Sequence, residues 1–320
     1  MNKKRVLNIT LVLEALLCVA LSYMWIGEQD EKLFGILKQP FELLGSGLRH
    51  LSLSGTIGNA VAMAIYIAVC LIPVGIALYF VKNKKARFED TILLVLSTLL
   101  FRGIYIFVNP GTIAKMKDAL ITGEMYKIAI CTTIVSVIIL YVLIKAVRSV
   151  DNMKEKKLLT FLKVVCGIAQ IIIVGAVFYI GVSDLFANIQ KATENNQYIT
   201  NTYVLLVFRF LVEQTPNICV FLILTRLMNV AEFIKKGFVS EEAMIAIKSI
   251  SSVCKKSVMI MMFASVILNI VQLLVIGHVS ITHYQVDIPV FQLLLVVVLL
   301  IITKIIEESN KIKEDNDLFI

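Results

Sequence analysis

Apolar residues run along this chain in long unbroken blocks divided by short charged stretches. The pattern lacks both the strict alternation of a half-buried strand and the one-sided stripe of a soluble helix. Eight blocks approach the roughly 20 residues that an α-helix needs to cross the hydrocarbon core of a bilayer. They are Val6–Ile26, Gly58–Val81, Thr91–Val108, Tyr126–Val147, Phe161–Ser183, Tyr203–Met228, Ser257–Gly277 and Val290–Ile306. Lipid offers no partner to backbone N–H and C=O groups, so a spanning segment must be a helix or part of a closed barrel, and no barrel pattern occurs. The expected fold is all-α: a polytopic integral membrane helical bundle of about eight transmembrane helices. Residues 1–150 form an N-terminal four-span half and residues 151–320 a C-terminal four-span half. Span four closes on Leu143-Ile144-Lys145-Ala146-Val147 and span eight on Ile301-Ile302-Thr303-Lys304-Ile305-Ile306. Each then enters a charged helix, which suggests two parallel repeats.

Composition agrees: 58% of residues are hydrophobic, 17% are charged, and the mean hydropathy is +0.87. An ordinary soluble domain is nearer half apolar and a quarter charged. The net charge of +8 reads as loop charge, because the basic residues fall between spans and no nucleic-acid recognition motif accompanies them. Lys and Arg at the N-terminus, at 82–90, 145–157 and 226–256, and in the tail from Lys304 outnumber those of the alternate loops about three to one. That bias places both termini in the cytoplasm. Met1-Asn2-Lys3-Lys4-Arg5 followed by an apolar run resembles a leader, but the run reaches Ile26 without a clean small-x-small site. It is expected to remain as the first span.

Three charged segments stand apart. Between spans six and seven, Gly237 breaks the chain and Ser240 is placed to cap a helix whose first turn holds Glu241 and Glu242. Ala243, Ile247, Ile250 and Cys254 share one face, with Lys248, Lys255 and Lys256 on the polar side. Such a helix either lies on anionic inner-leaflet lipids or simply leads into span seven. Leu33–Leu53 mixes apolar residues with Lys38, Glu42, Arg49 and His50, and is expected to be interfacial or re-entrant, broken at Pro40 and Gly45. The tail carries the helical pair Glu307 and Lys311, then Glu314, Asp315 and Asp317, and ends on Leu318-Phe319-Ile320.

The stretch Lys235-Lys236-Gly237-Phe238-Val239-Ser240-Glu241-Glu242, the triplet Asp287-Ile288-Pro289 and the ending Glu307–Ile320 carry a resemblance. Over Lys157–Ile320 the chain resembles a bacterial family of four-span membrane proteins, the domain of unknown function 2975. Phe319 stands where that family's ending has Thr. The resemblance implies four spans and no known chemistry. Members are often encoded beside small helix-turn-helix regulators, which implies a regulatory, sensing or protective role in a bacterial inner membrane.

Four charges lie inside spans: Glu14, Arg102, Arg209 and Glu213. Charges there are costly and face a bundle interior or a water-filled cavity. Polar neighbours repeat at helical spacing: Thr10, Glu14, Cys18 and Ser22; Thr98, Arg102, Tyr105 and Asn109; Arg209, Glu213 and Asn217; Ser265, Asn269 and Gln272. Glu14, Arg102, Arg209, Glu213 and Asn217 are therefore the candidate site. They are either an ion-pair cluster joining spans one, three and six, or a ligand or proton pathway. The balanced signs favour the cluster, in which Arg102→Leu destabilises more than Glu14→Leu and no acid lacks a fixed partner.

The six cysteines fall in or beside apolar runs without a C-x-x-C pair, so they read as buried residues. His50, His278 and His283 read as loop histidines, although His278, His283 and Asp287 are close enough in sequence to raise a metal or pH-sensing site. No metalloprotease, serine-hydrolase, phosphate-loop or dinucleotide motif occurs. The expectation is a protein with no catalytic residues, no metal and no cofactor, acting through a cytoplasmic partner. A small-molecule or ion transporter built on the polar cluster is the alternative.

Overall fold

A computed structural model of the chain describes residues 3–24, 29–84, 87–114, 123–194, 199–234, 241–275, 278–279 and 289–317. Among the described residues there is no strand. Eleven α-helices follow one another: α1 (Lys3–Met24), α2 (Gln29–Leu53), α3 (Thr56–Lys82), α4 (Ile92–Val108), α5 (Gly111–Ala114), α6 (Gly123–Ser149), α7 (Glu155–Gly175), α8 (Val182–Glu194), α9 (Ile199–Ile234), α10 (Glu241–Val275) and α11 (Val290–Asp317). Short 3₁₀ turns precede α4 and follow α6, and a π-helical segment, Ala176–Gly181, joins α7 to α8.

Seven stretches among the described residues are long and apolar enough to cross a membrane: Arg5–Met24, Thr56–Lys82, Phe88–Val108, Gly123–Ser149, Lys156–Thr193, Ile199–Glu232 and Met244–Val275. The chain is a polytopic all-α membrane protein. The eighth expected span, Val290–Ile306, is helical, but this apolar stretch is only 17 residues long. At 1.5 Å per residue it reaches about 25 Å, short of the roughly 30 Å hydrocarbon core.

The chain forms two compact units, one of Asp30–Met153 and one of Met1–Gln29 with Lys154–Ile320. Helix α1 belongs with the C-terminal helices rather than with α3, α4 and α6. The division is therefore not four spans and four.

In the unit Asp30–Met153, α4 packs between α3 and α6. Leu93, Leu96, Ile104, Ile106 and Phe107 of α4 are buried against Ala62, Cys70 and Ala77 of α3 and Ile130, Cys131 and Ile134 of α6. The Leu33–Leu53 segment is one uninterrupted helix, not a broken one. Pro40 removes a backbone donor, but Phe41, Leu44, Leu48 and Leu51 bury one face at helical spacing and hold the rod together. Gly45 has a packing role instead: a Cβ there would overlap Phe107 Cβ and its backbone. Gly55 precedes α3 with φ 135°, a conformation that other side chains rarely adopt. His50 lies in the last turn of α2, not in a loop.

In the other unit α1 packs on α7, on the π segment and on α8, while α9 packs on α7, α8 and α10. Antiparallel contacts fix the register of α7–α8 on α9. Lys163 Nζ lies 3.8 Å from Glu232 Oε2, Gln170 Nε2 donates to Thr225 Oγ1 at 2.7 Å, and Gly181 abuts Gln214. Helices α9 and α10 have 36 and 35 residues, about 54 and 52 Å, far more than a bilayer core requires. Their extra turns hold an apolar core, in which Val230, Ile247, Ile250 and Cys254 are buried. The amphipathic segment after Ser240 is thus the lead-in to span seven, and its apolar face meets protein. Lys248, Lys255 and Lys256 line the opposite, exposed side. Gly237 and Ser240, and the tail end Leu318–Ile320, fall outside the described residues.

Candidate intramembrane polar site

The mid-membrane site is built where α1 and α9 meet the π segment. A π turn inserts one residue and shifts the backbone ladder, and such bulges recur at functional sites. The segment starts at Ala176, whose amide still donates to the carbonyls of Ile172 and Ile173, four and three residues back. Two turns of α1 flank the change. Ser22 is fully buried, and its Oγ lies 3.0 Å from Tyr179 O, 3.1 Å from Phe178 O and 2.8 Å from its own Cys18 O. One hydroxyl proton thereby serves a backbone whose regular partners have shifted.

Glu14 lies one turn before Cys18. It is at the centre of the Arg5–Met24 stretch, about 14 Å from either end. Its Oε1 is 3.7 Å from the point where a side chain on Gly175 would begin. Its Oε2 is buried without a hydrogen-bond partner. An acid without a fixed partner is thus present, contrary to the balanced-cluster expectation.

Arg209 and Glu213 bond to each other through Nε and Oε1, one turn apart on α9. Asn217 Nδ2 donates to Gln214 Oε1 at 2.9 Å, and Pro216 between them is buried within a continuous helix. The register places Glu14 opposite Gly175 and Gln214 opposite Gly181, six residues apart. Glu213 and Arg209 are then offset from Glu14 by roughly 10 and 16 Å along the helices. Arg102 belongs to the other unit, where it is exposed and has no ion pair among the described residues. Thr98, Tyr105 and Asn109 of the same stripe are exposed with it. The expected ranking of Arg102→Leu above Glu14→Leu loses its basis. The Ser265–Gln272 stripe of α10 is partly buried, and Ser265 bonds to its own Met261 carbonyl at 3.2 Å.

A second polar cluster escaped the sequence reading. Glu89 and Asp90, each 5% exposed, sit at the start of the third membrane-crossing stretch, in the unit Asp30–Met153. Asp90 Oδ1 lies 3.0 Å from Lys145 Nζ and accepts from Tyr141 Oη at 3.0 Å, while its Oδ2 accepts from the Arg87 amide at 2.8 Å. Arg148 pairs with Glu89, and Lys145 stacks 3.9 Å above the Phe80 ring. The usable signal was the spacing of Tyr141, Lys145 and Arg148 on one helix face. At the opposite end of that unit, Lys38 bonds Glu124 at 2.7 Å and Glu42 at 3.1 Å. The Glu124 carboxylate beside it holds the Lys38 ammonium above the usual lysine range, against the opposing effect of burial.

Cys70, Cys131, Cys166, Cys219 and Cys254 are buried thiols. Among the described residues no three His, Cys, Asp or Glu side chains are grouped to hold a metal ion. His278 is exposed; His283 and Asp287 lie outside the described residues. No protein-family model, no curated protein and no solved structure matches the chain.

Proposed function

We propose that this is a non-catalytic bacterial inner-membrane protein that regulates or senses through a cytoplasmic protein partner, docked on the extension of α9 and α10. The observation that carries this reading is that extension. Two membrane helices continue about 20 Å past the bilayer core as a packed pair, with Lys248, Lys255 and Lys256 exposed along α10. A packed pair continuous with membrane helices is suited to transmit a change in the membrane to a soluble surface. The basic residues match anionic headgroups or an acidic partner face. The resemblance of Lys157–Ile320 to the domain of unknown function 2975 supports the same role. In this reading Val290–Ile306 crosses as an eighth span beside α9 and α10, against which Val296 is buried. Both termini then lie in the cytoplasm, the orientation that the loop charges favour.

The test is photo-crosslinking in living cells from a reactive residue replacing Lys248. One discrete protein adduct is expected, lost when Lys255→Glu and Lys256→Glu are combined although the membrane level is unchanged. Lipid adducts alone, with Glu14-dependent solute uptake by proteoliposomes, would replace this reading with transport. That second reading rests on the unpartnered Glu14 oxygen, because a mid-membrane carboxyl free of a fixed base suits a coupled carrier.

A further inference from the structure

We propose that Glu14 is a proton-exchange site, taking up and releasing a proton at mid-membrane depth, and that its protonation is coupled to the π segment Ala176–Gly181. The proposal is independent of the partner reading. Glu14 stands among lipid-facing residues, with Leu13 and Leu17 exposed on either side, yet one of its oxygens is buried and meets no donor.

Among the described residues of the unit, no base is level with it. Arg209 is engaged by Glu213, and Lys163 of α7 lies twelve residues before Gly175, about 18 Å along the helix, where it meets Glu232. On α9 the buried Cys219 thiol is within one residue of its level, and the exposed Arg226 is six residues off, about 9 Å; the other titratable groups on the packed elements are offset as well. Cys166 of α7 and Asp184 of α8 are each nine residues from Gly175, about 14 Å. Tyr179 sits at the level of Ser22, and Cys18 is one turn away on α1 itself.

The coupling follows from what each form can donate. A carboxylic acid has an O–H; a carboxylate has none. Beside Glu14 the backbone passes from the four-residue bonding of α7 to the five-residue bonding of Ala176–Gly181. A backbone carbonyl has two lone pairs and can accept a second hydrogen bond. A protonated Glu14 can donate that bond across the Gly175 gap, and an ionised one cannot. Gly175 keeps that gap open and Ser22 holds the far side of the segment, so gain or loss of one proton biases the bulge between two bonding patterns.

The test uses the full chain in proteoliposomes treated with dicyclohexylcarbodiimide over a range of pH. The acid O–H adds across one C=N bond to give an O-acylisourea, which rearranges to a stable N-acylurea; nothing is oxidised or reduced. Peptide mass spectrometry should find the adduct on Glu14, its yield falling roughly tenfold per pH unit above the titration point, with Glu213 unmodified throughout. Reaction of other carboxyls without Glu14, a Glu14 yield independent of pH, or equal labelling of Glu213 overturns the site. Hydrogen exchange of the 176–181 peptide, corrected for intrinsic rates, should then depend on pH in the parent chain and lose that dependence in Glu14→Gln. An unchanged pH dependence in Glu14→Gln overturns the coupling.

Discussion

A charged group at hydrocarbon depth must be paired, solvated or neutralised, and the intramembrane side chains here differ in which they use. Arg209 and Glu213 pair, so removing one partner strands the other. Glu213→Leu is expected to destabilise by about 3 kcal/mol, and the combined Arg209→Leu, Glu213→Leu variant by less. A double variant that melts lower in detergent than the single one would refute the pairing as their main role. Ser22 has a different task, and Ser22→Ala should cost about 1–2 kcal/mol, because buried carbonyls lose a donor. Thermal melting of the purified chain measures this, and an unchanged midpoint would mean that the π carbonyls manage without it. All four charges were visible in the sequence, since a carboxylate or guanidinium inside an apolar block needs no structure to be noticed. The bond between Arg209 and Glu213 was legible from their spacing of four. The isolation of Glu14 was not, because it depends on how α1 and α9 are displaced along α7, and no local pattern encodes that displacement.

At the level of the helices, glycines mark the contacts. Gly45→Ala should cost at least about 2 kcal/mol, because its Cβ would collide with the Phe107 backbone. Gly47→Ala, with nothing within 4 Å of its Cβ, should be neutral or slightly stabilising. Equal effects on melting would mean that α2 does not seat against α4 as described. Below the usual lysine range the raised Lys38 contributes stability, which is lost as pH rises through its folded value. The melting point should therefore fall faster in strong alkali in the parent chain than in Lys38→Met. Helix identity was legible throughout, since long apolar blocks leave few alternatives. In the helices, packing overrode one sequence signal and decided between two readings of another. Pro40 suggested a break, but the buried face of α2 outweighs one lost hydrogen bond. The face of Ile247, Ile250 and Cys254 suited lipid as well as protein, and α9 supplied the protein. The π segment gave almost no signal, because Ala176-Val177-Phe178-Tyr179-Ile180-Gly181 reads as ordinary span; only Gly175 and Gly181 at its edges hint at close contact.

Across the whole molecule, loop charge and the reach of the helices make one joint prediction. Single cysteines introduced at Asp151 and Lys313, in a background without the native six, should label from the same side of the membrane, and one at Lys38 from the other. Labelling of Lys313 and Asp151 from opposite sides would mean that Val290–Ile306 does not cross. The assignment of α1 to the C-terminal unit could not be read from chain order, because sequence gives only adjacency and α1 packs on helices far along the chain, as Ser22 and Phe178, 156 residues apart, show.

The length of α9 and α10 has a mechanical meaning. A helix pair with an apolar core is stiff, and the part outside the bilayer core is about 20 Å long. If the pair pivots near the membrane surface, a tilt of about ten degrees, of the order by which membrane helices already differ in inclination, carries its tip some 3–4 Å. That is a lever arm. A rearrangement of one peptide unit around Glu14 and the π segment would emerge at its end as a displacement the size of an amino-acid side chain, large enough to make or break a bound partner's contacts.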